Sequence, residues 1–305
     1  MEALNAFKLD DLKTIDVETF FNKCQQIPNA ETIIDKIEWR SECKYNQVVV
    51  MIKDSKVEKF LQQGKDTLWE KETGEEVVVK NTDFFEMAEC QLNECLGKQD
   101  GYINQFDMIL GEKFPQLHIK TINTLKFFYL KSTNYMNSEF MPKLYQFLGS
   151  LQPNMHHLSI CTIFNIKFNF FEAMKTAKNL MIIWSLINDQ QLLELTGDKI
   201  VITTDKCTVE GISMFIKKRI GDNSKCFLNV RFADKIDIDS INIFERDFQV
   251  QRRDGMQPII LSLTDKPMIA VIIIQNDRIM ANIFDITNTD DKLYGLIPDS
   301  LMLTV

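Results

Sequence analysis

The sequence predicts an α/β protein whose central part is a leucine-rich-repeat-like solenoid of strand–helix units. Over residues 125–232, short apolar runs alternate with amphipathic helical stretches, and successive runs begin 32, 23, 19 and 27 positions apart. Units of that size stack on one another because each is too small to bury its own apolar face. A helical and small β region before residue 113 and a β-only region after residue 248 complete the predicted fold. The apolar runs are Leu125–Leu130, His157–Cys161, Leu180–Trp184, Lys199–Thr203 and Cys226–Phe232.

The N-terminal region, residues 1–112, is predicted to begin with helices. Four apolar residues in its first 25 positions share one helical stripe, and the spacing from Ile33 to Trp39, after Pro28, suggests a second short helix. The stripe consists of Val17, Phe20, Phe21 and Cys24.

Strands and a longer helix are predicted to follow. Val48–Ile52 and Val77–Val79 are β-type runs, and Thr73-Gly74 supplies a turn before the second, which predicts a small antiparallel sheet. Residues 82–112 return to a helical pattern that ends near Gly97.

The second region, residues 113–305, has readable helix signals between its apolar runs. Thr208 is the predicted N-cap of a helix that ends at Gly221, and Gly149 ends an earlier helix. The residues predicted to face inward are Leu144, Phe147 and Leu148 in the earlier helix and Val209, Ile212, Phe215 and Ile216 in the later one.

A four-stranded antiparallel meander is predicted at the C-terminal end. Two turns, Asp254-Gly255 and Asn276-Asp277, each separate a pair of β-type runs. Because the meander follows the last repeat, we expect it to cap the open end of the solenoid. The runs are Phe248–Arg253, Ile259–Thr264, Met268–Ile274 and Arg278–Phe284.

The net charge and the lengths of the apolar runs disfavour two classes of function, nucleic-acid binding and membrane insertion. The 305 residues are 45% hydrophobic and 26% charged, as in a globular protein, and the formal net charge is −8. General nucleic-acid binding is disfavoured because it requires a basic surface. The longest apolar run, Met268–Ile274, is far shorter than the ~20 residues of a membrane helix. We therefore expect a protein of the cytoplasm or nucleus with no membrane segment.

The cysteines and histidines do not form a metal or catalytic pattern. The seven cysteines include no C-x-x-C pair and the chain has only three histidines, so no zinc site and no cofactor are expected. There is no recognisable nucleophile turn and no glycine-rich phosphate loop. The sequence therefore predicts a protein that is not an enzyme, with a cysteine-dependent enzyme as an alternative.

Two passages resemble the nematode F-box-associated domain. The first runs from Leu192-Leu193-Glu194-Leu195 through Lys199–Thr203 and F-I-K-K-R-I-G at 215–221 to Phe227–Phe232, and the second is R-R-D-G-M-Q-P-I at 252–259. The resemblance covers residues 120–275 in the same order, although the family usually has tryptophan at or beside position 219. It implies the substrate-recognition region of a cullin–RING (SCF-type) ubiquitin ligase receptor.

The resemblance also directs attention to residues 1–44, where an F-box would bind the ligase adaptor. An F-box opens with a Leu-Pro turn and has three short apolar helices. Residues 1–44 have helical stripes but no Leu-Pro turn. The F-box is therefore expected to be degenerate or missing.

Seven residues are candidate partner-binding residues. Four lie in the densest basic patch, at a predicted helix C-terminus, where cations also complement the helix dipole. Two lie at a hairpin tip, where solvated charges also protect a sheet edge, and one is a tryptophan that belongs either to the core or to an exposed anchor. They are Lys217, Lys218, Arg219 and Lys225, then Arg252 and Arg253, and Trp69.

The function predicted from these features is that of a non-enzymatic protein-interaction module related to ligase substrate receptors. One alternative is a partner-binding or inhibitory protein with no ligase link. A second is binding of RNA or a ribonucleoprotein through the local basic patch.

Overall fold

The computed structural model describes a mixed α/β protein with sixteen strands and seven helices among the residues it covers. These elements form two compact units, residues 1–164 with 169–177 and residues 165–168 with 178–305. The described residues are 12–25, 33–42, 47–52, 56–97, 102–111, 113–119, 121–129, 140–166, 171–236, 241–253, 256–263, 266–275 and 277–285.

The first unit contains nine strands and four helices in its described part. The strands are β1 (Lys13–Ile15), β2 (Ile33–Glu42), β3 (Gln47–Ile52), β4 (Lys56–Gln63), β5 (Asp66–Glu70), β6 (Glu76–Val79), β7 (Tyr102–Leu110), β8 (Ile122–Tyr129) and β9 (His157–Ile166). The helices are α1 (Val17–Gln25), α2 (Phe84–Gly97), α3 (Phe140–Ser150) and α4 (Glu172–Thr176).

The sheet of the first unit joins an antiparallel part to a parallel part. Its strand order is β1-β6-β5-β4-β3-β2-β7-β8-β9. Strands β2 to β6 form the antiparallel ladder predicted for residues 47–80, now extended by β2. Strands β2, β7, β8 and β9 are parallel. Helix α2 packs on β3, β4 and β5, and the ring of Phe85 meets that of Trp39 at 5.4 Å.

The helix predicted from Ile33 to Trp39 is wrong, because this stretch is strand β2. Ile34 and Ile37 are three positions apart, which resembles one helical turn when read alone. The buried side chains then alternate at Ile37, Trp39 and Ser41, as they do in a strand. Pairing with β3 on one side and β7 on the other therefore determines the conformation.

Residues 82–112 contain the predicted helix and also a strand that was not predicted. Helix α2 ends at Gly97 as predicted, but Tyr102–Leu110 is strand β7. This strand pairs with β8, with Ile103 opposite Ile122. The division predicted between residues 1–112 and 113–305 consequently falls inside the first unit.

The second unit contains seven strands and three helices in its described part. The strands are β10 (Asn179–Ser185), β11 (Lys199–Thr204), β12 (Cys226–Phe232), β13 (Gln249–Arg253), β14 (Met256–Ser262), β15 (Met268–Gln275) and β16 (Arg278–Asp285). The helices are α5 (Asp189–Glu194), α6 (Val209–Gly221) and α7 (Ile241–Asp247).

The sheet of this unit has the order β10-β11-β12-β16-β15-β14-β13. Strands β10, β11 and β12 are parallel and alternate with α5 and α6, whereas β16 joins β12 in antiparallel orientation. The predicted strands β8 to β12 and the predicted meander β13 to β16 are confirmed. A solenoid is not shown, since antiparallel strands make up much of both sheets. The meander continues the sheet along the edge of β12 rather than closing a stack of repeats.

Side-chain caps hold the beginnings of α5 and α6 together. The Thr208 hydroxyl accepts a hydrogen bond from Gly211 N at 3.0 Å, which confirms the predicted N-cap. Asp189, the first residue of α5, accepts from Thr208 N at 2.7 Å and from Thr208 Oγ1 at 2.8 Å. On the inward face of α6, the side chains of Ile212, Phe215 and Ile216 are completely buried. The start of α6 is therefore attached to α5, and its inward face is buried.

Among the described helices, none combines the length and the apolar character needed to cross a membrane.

Candidate functional site

The outward face of α6 carries an exposed apolar side chain beside two cations. Glu210, Met214, Lys217 and Lys218 are exposed, and their spacing of four, seven and eight positions from the first forms one helical stripe. Met214 is 53% exposed, the largest exposed fraction among the large apolar residues described. We call Met214, Lys217 and Lys218 the α6 surface.

Lys217 lies on the side of the α6 surface that faces α7. Its Nζ is 3.7 Å from Asp247 Oδ1, and Arg246 also contacts this carboxylate, at 3.4 Å. The hydrogen bond from Arg246 is the main cause that lowers the pKa of Asp247, and the positive charges of Arg246 and Lys217 lower it further. Two cations thus share one carboxylate, and Glu210 adds a second carboxylate on the same helical stripe.

Lys218 lies on the opposite side, toward α5. Its Nζ donates to the carbonyl oxygen of Leu193 at 2.7 Å. At the end of α6, Lys266 Nζ donates to the carbonyl oxygen of Gly221 at 3.0 Å. Cations therefore compensate the negative ends of both helices, although Lys218 does so for α5 and not for its own helix, and Lys266 was not among the predicted residues. Lys218 remains exposed while it makes this contact.

Arg219 belongs to the core and not to the exposed basic patch. Its side chain is 7% exposed and donates to the buried carbonyl oxygen of Gly197. The guanidinium carbon lies 5.4 Å from the centre of the Phe215 ring. Burial raises the pKa of the neighbouring Cys226 thiol, and the charge of Arg219 partly opposes that rise. Arg219 thus joins α6 to the turn before β11.

Trp69 is likewise a core residue and not an exposed anchor. It is 5% exposed, stacks on Phe60 at 6.3 Å and meets the edge of Phe20 at 4.9 Å. Its indole Nε1 donates to Glu58 Oε2 at 3.0 Å. The acidic turn beside Trp69 is exposed, but the tryptophan side chain points into the first unit.

The remaining candidate residues are not part of α6. Lys225 is exposed in the turn before β12. Arg252 and Arg253 are in strand β13, opposite Ile259 and Met256 of β14, but their side chains and the predicted turn at Asp254-Gly255 lie outside the described part of the structure.

Glu58 is a half-buried carboxyl group with a raised pKa, and such groups often mark functional sites. Burial raises its pKa, and hydrogen bonds from Gln91 and Trp69 partly oppose the rise. The other amide atom, Gln91 Oε1, is buried and has no hydrogen-bond partner among the described residues. Because these hydrogen bonds join β4 to β5 and to α2, we assign this group to the packing of the first unit.

Substitution Glu58→Gln is expected to flatten the pH dependence of stability of the first unit. In the folded protein the pKa of Glu58 is raised above its ordinary value of 4.5. The folded state therefore binds the proton more tightly than the unfolded chain does, and the protein loses stability as the pH rises from about 4.5 through the raised pKa. Glutamine keeps an acceptor for Trp69 without acquiring charge. Urea unfolding at a series of pH values from 4.5 to neutral measures the slope. The exposed Glu18→Gln is the control, and equal slopes in wild type and Glu58→Gln would contradict the assignment.

A small cleft lies at the carboxyl ends of β11 and β12, next to the beginning of α6. In open α/β sheets this end commonly binds ligands. The cleft volume is about 230 Å³, below the usual range of about 300–1,000 Å³ for small-molecule sites. Burial raises the pKa of Cys207, which lines the cleft, to about 12, so its thiol is protonated at neutral pH. Within the described residues, no three His, Cys, Asp or Glu side chains form a metal-binding group.

Comparisons with protein-family models, with curated proteins and with solved structures give no match. The resemblance to nematode F-box-associated domains therefore rests on the sequence motifs alone.

The α6 surface was only partly evident from the sequence. The basic residues Lys217 and Lys218 were predicted, whereas Met214 was not. The sequence does contain a signal for the outward position of Met214, because the residues predicted to face inward leave Met214 on the opposite face of the helix. What the sequence did not reveal is that neighbouring elements leave this side chain uncovered.

Proposed function

We propose that this protein is a non-enzymatic interaction module that binds a partner protein through the α6 surface. The observation that carries the proposal is the exposure of Met214 next to Lys217 and Lys218 on a helix whose other faces are buried. Methionine side chains adapt to different partner shapes and are frequent at binding surfaces. A capped, packed helix presents this group without a large entropy cost on binding.

The charges of the surface indicate the chemistry of the partner. The chain has a net charge of −8. Around Met214, by contrast, the three cations Lys217, Lys218 and Arg246 outnumber the two carboxylates named above, Glu210 and Asp247. Such an excess attracts an acidic segment and sets its orientation. We therefore propose a partner segment with an apolar anchor that contacts Met214 and carboxylates that contact the flanking lysines.

The proposed ligase link depends on the motif resemblance. The residues that resemble the family lie in α5, β11, α6 and β12 and in the hairpin of β13 and β14. We propose that the strand–helix units among them correspond to the repeated units expected from the sequence. Phe21 on α1 is 40% exposed, whereas Phe20 is buried, so Phe21 is available for an adaptor contact. The described cysteines are free thiols, in keeping with a reducing cytoplasm or nucleus.

Photo-crosslinking tests the α6 surface. A benzoylphenylalanine at position 210, one turn from Met214, is expected to label an acidic protein segment in native extract, whereas the same group at Lys178 is not. Charge reversal of Lys217 and Lys218 to glutamate together is expected to reduce labelling about tenfold because like charges then oppose the partner. The control reverses Lys178 and Lys206, with the same change in net charge.

Three outcomes would contradict the proposal. They are equal labelling from positions 210 and 178, labelling that survives reversal of Lys217 and Lys218, and labelling of RNA, which would favour the nucleic-acid alternative. The ligase link is tested separately by Phe21→Ser, because deleting residues 1–44 would remove the internal strand β2. Recovery of a cullin-ligase adaptor that is lost with Phe21→Ser supports the link, and absence of the adaptor removes it.

A further inference from the structure

The connection between β7 and β8 contains residues 113–119, which belong to no helix or paired strand. The alternate residues Gln116 and His118 are bonded to side chains of α2, the pattern of an extended backbone held along one edge. Asn93 Oδ1 accepts from His118 N at 2.9 Å, and Asn93 Nδ2 donates to the carbonyl oxygen of Gln116 at 2.8 Å. Glu89 Oε2 accepts from Gln116 N at 2.8 Å. The side chains of α2 thus supply the hydrogen bonds that a neighbouring strand would supply.

The opposite edge of this segment has no hydrogen-bond partner among the residues that the structure describes. In extended backbone, successive residues direct their N–H and C=O groups to opposite sides. Gln116 and His118 face α2, so Leu117 and Ile119 face away from it. Across the described part of the chain, no hydrogen-bond partner is found for the backbone groups of Leu117 and Ile119. Backbone donors and acceptors of this kind form a template for strand pairing.

A groove lies between the segment and α3. It has a volume of about 250 Å³, and residues of the segment and of α3 line it, with none from α2. The Phe114 ring, at the start of the segment, packs on Phe147 of α3 at 5.5 Å and on Phe140 at 5.6 Å, which fixes one end. Leu117, Ile119 and Phe147 give the groove an apolar lining, and Lys143 and His118 are also in the lining.

We propose that this edge and groove bind an extended peptide segment of a partner protein by strand addition. The backbone of the peptide pairs with Leu117 and Ile119, an apolar side chain enters the groove, and an acidic side chain contacts Lys143. The volume suits one side chain better than a cofactor, since small-molecule sites usually have about 300–1,000 Å³. Main-chain pairing would supply affinity and the groove would supply specificity. This surface belongs to the first unit and is a different site from the α6 surface.

Amide hydrogen exchange of the full-length chain is the first test. In the free protein, the Leu117 and Ile119 amides are expected to exchange much faster than those of Gln116 and His118, which α2 protects. Protection of all four amides in the free protein would show that another part of this chain already covers the edge, and would overturn the proposal.

Binding is then tested with an array of acetylated heptapeptides in which apolar residues alternate with aspartate or glutamate. The tightest peptide is expected to protect the Leu117 and Ile119 amides. N-methylation of alternate peptide amides should abolish binding for one set of positions and spare the other, because a strand uses only one edge for pairing. Failure of every peptide to bind, or equal loss from both N-methylated sets, would overturn strand addition.

Two substitutions identify the site. Leu117→Pro removes an N–H that no described contact uses and is expected to abolish peptide binding while circular dichroism stays unchanged. Lys143→Glu is expected to weaken acidic peptides about fivefold, with Lys178→Glu as the control. Unchanged affinity in a folded Leu117→Pro protein would overturn the proposal. If that variant fails to fold, the N-methylated peptides still decide the question.

Discussion

Substitution Gly211→Ala is expected to lower the free energy of unfolding of the second unit by about 3 kcal/mol. A Cβ atom at position 211 would meet the carboxylate of Asp189 and would lie 2.7 Å from Asp189 Cβ. The Asp189 side chain cannot move aside freely, because it accepts a hydrogen bond from Thr208 N, and Thr208 in turn caps α6. Urea unfolding followed by circular dichroism and by hydrogen exchange of α6 measures the change.

The same helix provides the control for this prediction. At Gly221 an added Cβ would meet nothing within 4 Å. Gly221→Ala is therefore expected to change stability by less than about 1 kcal/mol, in the stabilising direction. The double variant Gly211→Ala with Asp189→Gly is expected to be more stable than Gly211→Ala alone, because the obstructing side chain is gone. If Gly211→Ala and Gly221→Ala behave alike, the close approach of α5 and α6 is incorrect.

Arg219→Ala is expected to destabilise the second unit by about 3 kcal/mol, since hydrogen bonds from charged groups contribute about 1.5–3 kcal/mol and the lost side chain leaves a cavity. The substitution leaves the buried Gly197 carbonyl without its donor and removes the guanidinium from the Phe215 ring. Urea unfolding of the variant, with hydrogen exchange at the start of β11, measures the effect.

The neighbouring lysines are the controls for Arg219. Lys217→Ala and Lys218→Ala remove exposed contacts and are each expected to cost less than about 1 kcal/mol. Arg219→Met fills part of the cavity without restoring the hydrogen bond, so its stability is expected to lie between those of wild type and Arg219→Ala. Since Arg219 Nε is buried and has no hydrogen-bond partner within the described residues, the methionine variant also measures the cost of burying this charge. An Arg219→Ala protein as stable as Lys218→Ala would place Arg219 on the surface after all.

These substitutions separate two roles within the basic run Lys217, Lys218 and Arg219, namely partner binding at the surface and packing in the core. Lys217 and Lys218 can be changed to test partner binding, because their side chains lie outside the core. Arg219 cannot serve that purpose, because loss of binding in its variant would reflect a disturbed fold.

Local signals in the sequence were sufficient for the elements that carry the α6 surface. The strands β8 to β12 are continuous apolar runs, the meander has turn residues between β-type runs, and α6 has a threonine cap and a terminal glycine. Each signal acts within a few residues, through side-chain capping, turn geometry or the need to bury a run of apolar groups. For this reason these elements were predicted from one sequence.

Tertiary structure alone decided the features that depend on distant neighbours. Strands β2 and β7 contain spacings that also suit helices, and mutual pairing with β3 and β8 makes them strands. Burial of Arg219 and Trp69 depends on a carbonyl at Gly197 and a carboxylate at Glu58, partners that no local pattern indicates. Likewise, only the folded chain shows that α2 binds residues 113–119 along one edge and that no described residue pairs with the other. Exposure and hydrogen-bond satisfaction are properties of the assembled chain, and the candidate sites follow from them.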